Sequence, residues 1–100
     1  MTQTFQKAVE AERPQIAMRM YPNNETLQIL VSLCRELQRA KGEQPFYLGC
    51  RTAGKLFSVT HAEAARWLFV LESDGILRVV AKGGTHENPR KATRFRYLGD

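Results

Sequence analysis

Two periodicities run along the chain, and their order carries the first information in it. After Pro22, apolar residues fall at Leu27, Leu30, Val31, Cys34 and Leu37, at intervals of 3, 1, 3 and 3. That spacing lays one stripe along a helix. Asn23 or Asn24 can cap it by accepting a backbone N–H, and Glu25 suits its positive end. Lys41-Gly42 supplies a basic last turn and a stop, so the pattern predicts a helix of about 17 residues with Glu36 and Arg39 off the stripe. Residues 45–49 (PFYLG) are too short and aromatic for another helix and read as a brief strand. Residues 51–57 predict a short helix with Ala53 and Phe57 inward, broken by Ser58-Val59-Thr60. Thr60-His61-Ala62-Glu63 then fits the capping box, in which Thr and Glu satisfy each other's free backbone N–H groups. It opens a helix to about residue 73 or 74, with Ala64, Trp67, Leu68 and Leu71 inward and Gly75 as its stop.

Beyond Gly75 the period changes to two, the strand signature. Residues 76–82 put Leu77, Val79 and Ala81 on one face and Arg78, Val80 and Lys82 on the other. Residues 93–99 put Phe95 and Tyr97 on one face and Arg94, Arg96 and Leu98 on the other. The link 83–92 (GGTHENPRKA) has two glycines, an Asn-Pro step and no apolar anchor, and reads as a flexible, hydrated loop. At the other end, residues 4–12 predict a short helix with Phe5, Ala8 and Val9 on one side, ended by Pro14. Ile16, Met18 and Met20 alternate, which suits a short extended segment.

One hundred residues make one domain with a thin stability margin. With 43% hydrophobic and 25% charged residues the composition is that of an ordinary folded protein. There is no run of 18 apolar residues and no basic-then-apolar leader, so a cytoplasmic protein without a membrane partner is expected. Cys34 and Cys50 form no Cys-x-x-Cys pair and read as two small buried hydrophobes. The net charge is +5, but its location matters more. Segments 1–22, 23–44 and 45–75 hold three basic residues each against two, three and three acidic ones. Residues 76–100 hold six (Arg78, Lys82, Arg90, Lys91, Arg94, Arg96) against Glu87 and Asp100. Four of the five excess charges therefore sit in the last quarter, and a local cationic surface favours a polyanion.

The order is helix, short strand, short helix, tight turn, helix, strand, polar loop, strand. On these features residues 50–82 resemble the winged helix-turn-helix domains of bacterial and phage DNA-binding proteins. The matching positions are Ala53-Gly54 in the first helix of the pair, Val59-Thr60 entering the second, Leu68 and Leu71 inside it, and Asp74-Gly75-Ile76-Leu77 leading into the wing. With Pro45-Phe46-Tyr47-Leu48 before and residues 90–98 after, the segment looks like the winged-helix region of plasmid and phage replication or primase-type proteins. Ser58 stands where that turn often has glycine. The resemblance covers residues 23–98 and implies an α+β fold: a winged helix-turn-helix over 23–100, with a three-helix core and a two- to three-stranded antiparallel wing, preceded over 1–22 by an N-terminal arm or accessory helix. It further implies double-stranded DNA as partner, in transcription regulation or replication, with a second copy of the chain or a larger replication or regulatory protein as further partners, and no cofactor.

In such a domain the start of the second helix enters the major groove. Here that surface holds His61, Ala62, Glu63, Ala65 and Arg66. Arg66 can pair bidentately with guanine, His61 can donate to a base or phosphate, and the alanines allow close approach or contact a thymine methyl. Glu63 is either spent on the capping box or accepts from cytosine. Lys82, His86, Arg90, Lys91 and Arg94 can bind phosphates or enter the minor groove, and Arg51 and Thr52 can hold a phosphate where the first helix of the pair begins. The alternative reading is that the basic residues of the hairpin merely keep an edge strand soluble. Trp67 reads as core and Phe69 as an outer-face residue suited to a partner. No phosphate loop, nucleophile elbow, paired carboxylates or ligand-spaced His and Cys appear, so no enzyme is expected; a Cys50–His61 nucleophile and base is the weak competing reading.

Overall fold

The computed structural model describes residues 2–81 and 93–99. Among these, five helices and a three-stranded antiparallel sheet form an α+β fold. The elements are α1 (Thr2–Glu10), α2 (Gln15–Met20), α3 (Glu25–Lys41), β1 (Phe46–Tyr47), α4 (Cys50–Phe57), α5 (His61–Ser73), β2 (Leu77–Ala81) and β3 (Arg94–Tyr97). The link 83–92, expected to be a flexible loop, and Lys82 lie outside the described residues.

Helix α3 forms as its pattern predicts. Asn24 caps it, with Oδ1 accepting from Leu27 N at 3.1 Å, and Gly42 ends it at φ 65°. Its burial is wider than one stripe: Leu30, Val31, Ser32, Leu33 and Cys34 are all fully buried. Helices α1 and α2 pack on one side of it and β1 and β3 on another. Polar side chains on α3 dock the N-terminal segment. Gln28 Nε2 donates to Tyr21 O at 2.7 Å, Ser32 Oγ to Ala8 O at 2.9 Å and an Arg35 Nη2 to Glu12 O at 2.7 Å.

Two expectations for the N-terminal segment are corrected. Residues 15–20 are helical rather than extended. Pro14 O accepts from Ala17 and Met18 N, and Ala17 and Tyr21, four apart, are buried. Met18 and Met20, whose alternation suggested a strand, are exposed. In α1 the inward residues are Phe5 and Ala8; Val9, a further 100° round the helix, is exposed. Cys34 is buried as expected, while Cys50 is only partly so.

The sheet order is β1-β3-β2, with Phe46 opposite Phe95, Val79 opposite Phe95 and Leu77 opposite Tyr97. Phe46, Leu77 and Phe95 are buried on its inner face. Helices α4 and α5 pack on each other, and α5 also packs on β2. Phe5 of α1, Phe57 of α4 and Trp67 of α5 form a chain of edge-to-face rings with centroids 5.1 and 5.7 Å apart.

The α4–α5 turn has a definite geometry. Val59 N donates to Gly54 O at 2.9 Å and Ser58 N to Lys55 O at 3.4 Å, the two bonds of a Schellman ending. Ser58 therefore takes the left-handed conformation, φ 57°, without the glycine that suits it. Gly54 lets α4 approach the turn: a Cβ there would lie 2.8 Å from Val59 O. The same bond pair ends α5, with Ile76 N donating to Leu71 O and Gly75 N to Glu72 O, and with Ile76 and Leu71 both buried.

Chemical denaturation of variants checks this turn. Ser58→Gly is expected to stabilise the fold by about 1 kcal/mol, by removing left-handed strain from a residue with a Cβ. Gly54→Ala is expected to cost about 1–3 kcal/mol, because the new methyl meets backbone that cannot yield freely. A second check concerns pH. Tyr21 Oη donates to Asp74 Oδ2 at 2.6 Å, joining α2 to the end of α5. Burial first, and then Asp74, hold the phenol neutral well above its ordinary value of 10.0. The unfolded chain ionises there sooner, so this contribution is full below pH 10 and is lost as the pH rises further. Urea midpoints measured from about pH 8 to about 11 should fall less steeply at the alkaline end for Tyr21→Phe than for the wild type.

Candidate nucleic-acid interface

Helix α5 is set out from the core by its own two ends. Thr60 Oγ1 accepts from Glu63 N at 3.1 Å, which is one half of the expected capping box. The other half is replaced. Glu63 Oε1 accepts from Trp67 Nε1 at 3.1 Å and Oε2 lies 3.4 Å from Arg66 Nη1, so the carboxylate runs down the helix rather than back to the cap. Ala64, Leu68 and Leu71 face the core, and Trp67 is half-buried in the aromatic chain. That leaves His61, Ala62, Ala65, Arg66 and Phe69 on the exposed side. The Arg66 side chain is 72% exposed, so its contact with Glu63 leaves the guanidinium open to another acceptor. Phe69 is 66% exposed, an unusual placement for a phenylalanine.

The structure brings some of the predicted site residues together. Arg51 and His61 line a cleft of about 460 Å³ at the α4–α5 turn, together with Gly54, Lys55, Ser58 and Val59. Lys55 is a cation that the sequence reading did not single out; its place follows only from the approach of α4 to the turn. Thr52 is exposed on α4 and does not line this cleft. A second groove, of about 380 Å³, separates the exposed side of α5 from the sheet. Ala65, Phe69 and Glu72 form one wall and Val79 and Thr93 belong to the other. Thr93, where the described residues resume, therefore stands across this groove from α5.

Arg94 occupies a different place. It projects from β3 on the outer face of the sheet, half-buried, with its guanidinium carbon 5.8 Å from the Tyr47 ring centroid. Arg78 and Arg96 share that face, directly opposite each other on β2 and β3. Their alternation with apolar residues was readable in the sequence, but the register that pairs them was not. Lys82, His86, Arg90 and Lys91 lie outside the described residues.

Among the described residues there is no group of three or more His, Cys, Asp and Glu placed to hold a metal ion, and no helix long and apolar enough to cross a membrane. Burial raises the Cys34 thiol far above its ordinary range, which disfavours the thiolate at neutral pH. No protein-family model, curated protein or solved structure matches the chain.

Proposed function

We propose that this chain is a winged helix-turn-helix domain that binds duplex DNA, with α5 in the major groove and the basic hairpin on the backbone or in the adjacent minor groove. The role is that of a regulator or of the DNA-contacting part of a phage or plasmid replication system. The observation that carries this reading is the exposed side of α5. Its first two turns present His61, Ala62, Ala65 and Arg66 to solvent, and the hairpin returns at Thr93 across a groove from that side. A helix so exposed fits the major groove, where base edges differ in their donor and acceptor patterns. Arg51 and Lys55 at the turn cleft are placed to take phosphates beside it.

The division of labour follows from charge. Helix α5 carries Arg66 against Glu63 and Glu72, so its own charge does not draw it to DNA. The attraction has to come from its flanks, and discrimination from Arg66 and the small alanine surface. A second reading, docking onto a protein partner, is favoured by one observation: Phe69 stands exposed at the rim of the groove formed with Val79 and Thr93.

Titration of labelled duplexes at two salt concentrations tests the proposal. Binding is expected to weaken steeply with salt. Arg66→Ala should cost about 1–3 kcal/mol on a preferred site and little on random duplex, whereas Lys91→Ala should weaken both alike and reduce the salt slope by about 1. No duplex binding at low salt, alongside salt-insensitive association with a replication protein, decides for the docking module.

A further inference from the structure

We propose that the outer face of the β-sheet is a second nucleic-acid surface, separate from α5, that takes a single strand along Arg78, Arg96 and Arg94 beside Tyr47. The pairing register puts these side chains together: Arg78 lies opposite Arg96, and Arg94 lies opposite Tyr47. Arg94 and Arg96 are two residues apart on one strand, so they project to the same side about 7 Å apart. Lys41 extends the patch from the end of α3, its Nζ 5.8 Å from the Tyr47 ring centroid.

Several features of this face suit an anion. Like charges directly opposite each other on neighbouring strands repel, and the three strands contain no acidic residue to offset them. Neither Arg78, Arg94 nor Arg96 forms an ion pair among the described residues. The Nε of both Arg94 and Arg96 is shielded from solvent and has no hydrogen-bond acceptor among the described residues. A shielded donor without an acceptor is costly, so each guanidinium gains by turning its Nε outward to a phosphate oxygen.

The form of the face selects a single strand among polyanions. The cations turn a corner, from Arg78 across to Arg96 and then along β3 to Arg94 beside Tyr47, a path that one flexible backbone follows more readily than a stiff duplex. Tyr47 is 42% exposed beside them, an aromatic edge for an unstacked base, and cations interleaved with an aromatic are how single strands are held without sequence preference. This surface does not depend on the reading of α5, and the two can fail separately.

Fluorescence anisotropy of the full chain with a short labelled oligo(dT) provides the test. The wild type is expected to bind at low salt. Arg78→Ala/Arg96→Ala should bind about tenfold more weakly, with the slope of log K against log salt reduced by about 1.4, or about 0.7 per lost phosphate contact. Arg66→Ala, which should weaken a preferred duplex, is expected to leave oligo(dT) binding unchanged. Removing two facing like charges should leave the melting temperature at low salt equal to or above that of the wild type. If the double variant does not fold, Arg78→Gln, a change at an exposed position, decides in its place through the same loss of affinity and of salt slope. The proposal is overturned if the wild type fails to bind oligo(dT), if the arginine variants bind it as the wild type does, or if labelled polyglutamate binds this face in preference to oligo(dT), which would make it a surface for acidic protein.

Discussion

Helix α3 has to be buried on nearly every side, and this constraint organises the rest of the chain. Five consecutive residues, Leu30 to Cys34, reach zero exposure, which no single stripe of an amphipathic helix allows. The sheet and its aromatic residues cover one side. The other side carries polar atoms as well, and these are satisfied by backbone carbonyls near the ends of α1 and α2. Ser32 and Gln28 are the clearest cases, both buried and both bonded to the N-terminal segment. Leaving such a group unpaired costs about 1–3 kcal/mol, a large part of the stability of a domain this small. The bonds therefore also fix which turn of α1 and α2 can dock where. Gln38 extends the arrangement at the far end of the helix: its Nε2 donates to Gly42 O and Gln44 O, and its Oε1 accepts from Tyr97 N at 3.0 Å. One side chain thus joins α3, the turn before β1 and strand β3.

The candidate interface inherits its geometry from this frame. Helix α5 is held at its start by the Thr60 cap and the left-handed Ser58, at its end by Gly75 and the Tyr21–Asp74 bond, and along its length by Trp67. Trp67 meets Phe57, which meets Phe5, so α1 reaches α5 through two ring contacts. Glu63 belongs to the same device, since its carboxylate receives the Trp67 N–H. A residue at the start of an exposed helix is thereby tied to the N-terminal segment. Phe5 lies outside the stretch that resembles a winged helix, yet it ends the chain of contacts that sets the angle of α5.

What was legible in the sequence was what local chemistry decides. The Asn24 cap, the Gly42 and Gly75 stops, the Thr60 cap and the stripe of Leu68 and Leu71 each depend on residues within one or two turns, and each appears where the pattern put it. Helix α2 was misread because six residues hold too few turns for a period of 3.6 to outweigh the alternation of Ile16, Met18 and Met20. The docking role of Gln28, Ser32 and Arg35 was not legible, because polar residues on a helix look the same whether they face water or the carbonyls of a distant segment. The facing of Arg78 and Arg96 was hidden for a related reason. Each strand shows its own alternation, but the register across a long polar link is not written in either.

Charge placement gives the two surfaces different characters. On α5 the single arginine is partly answered by Glu63, and the exposed residues around it, His61 apart, are small or apolar, so contacts there reward shape and a specific acceptor more than bare negative charge. On the sheet the arginines face one another with no carboxylate on their strands, and Arg94 and Lys41 approach the same tyrosine ring. A surface of that kind attracts phosphate regardless of sequence. In the two proposed roles, α5 is the face that discriminates and the sheet the face that attracts, on elements joined through one core. Any change in how β3 sits on α3, for instance at Gln38, would move the attracting face relative to the discriminating one.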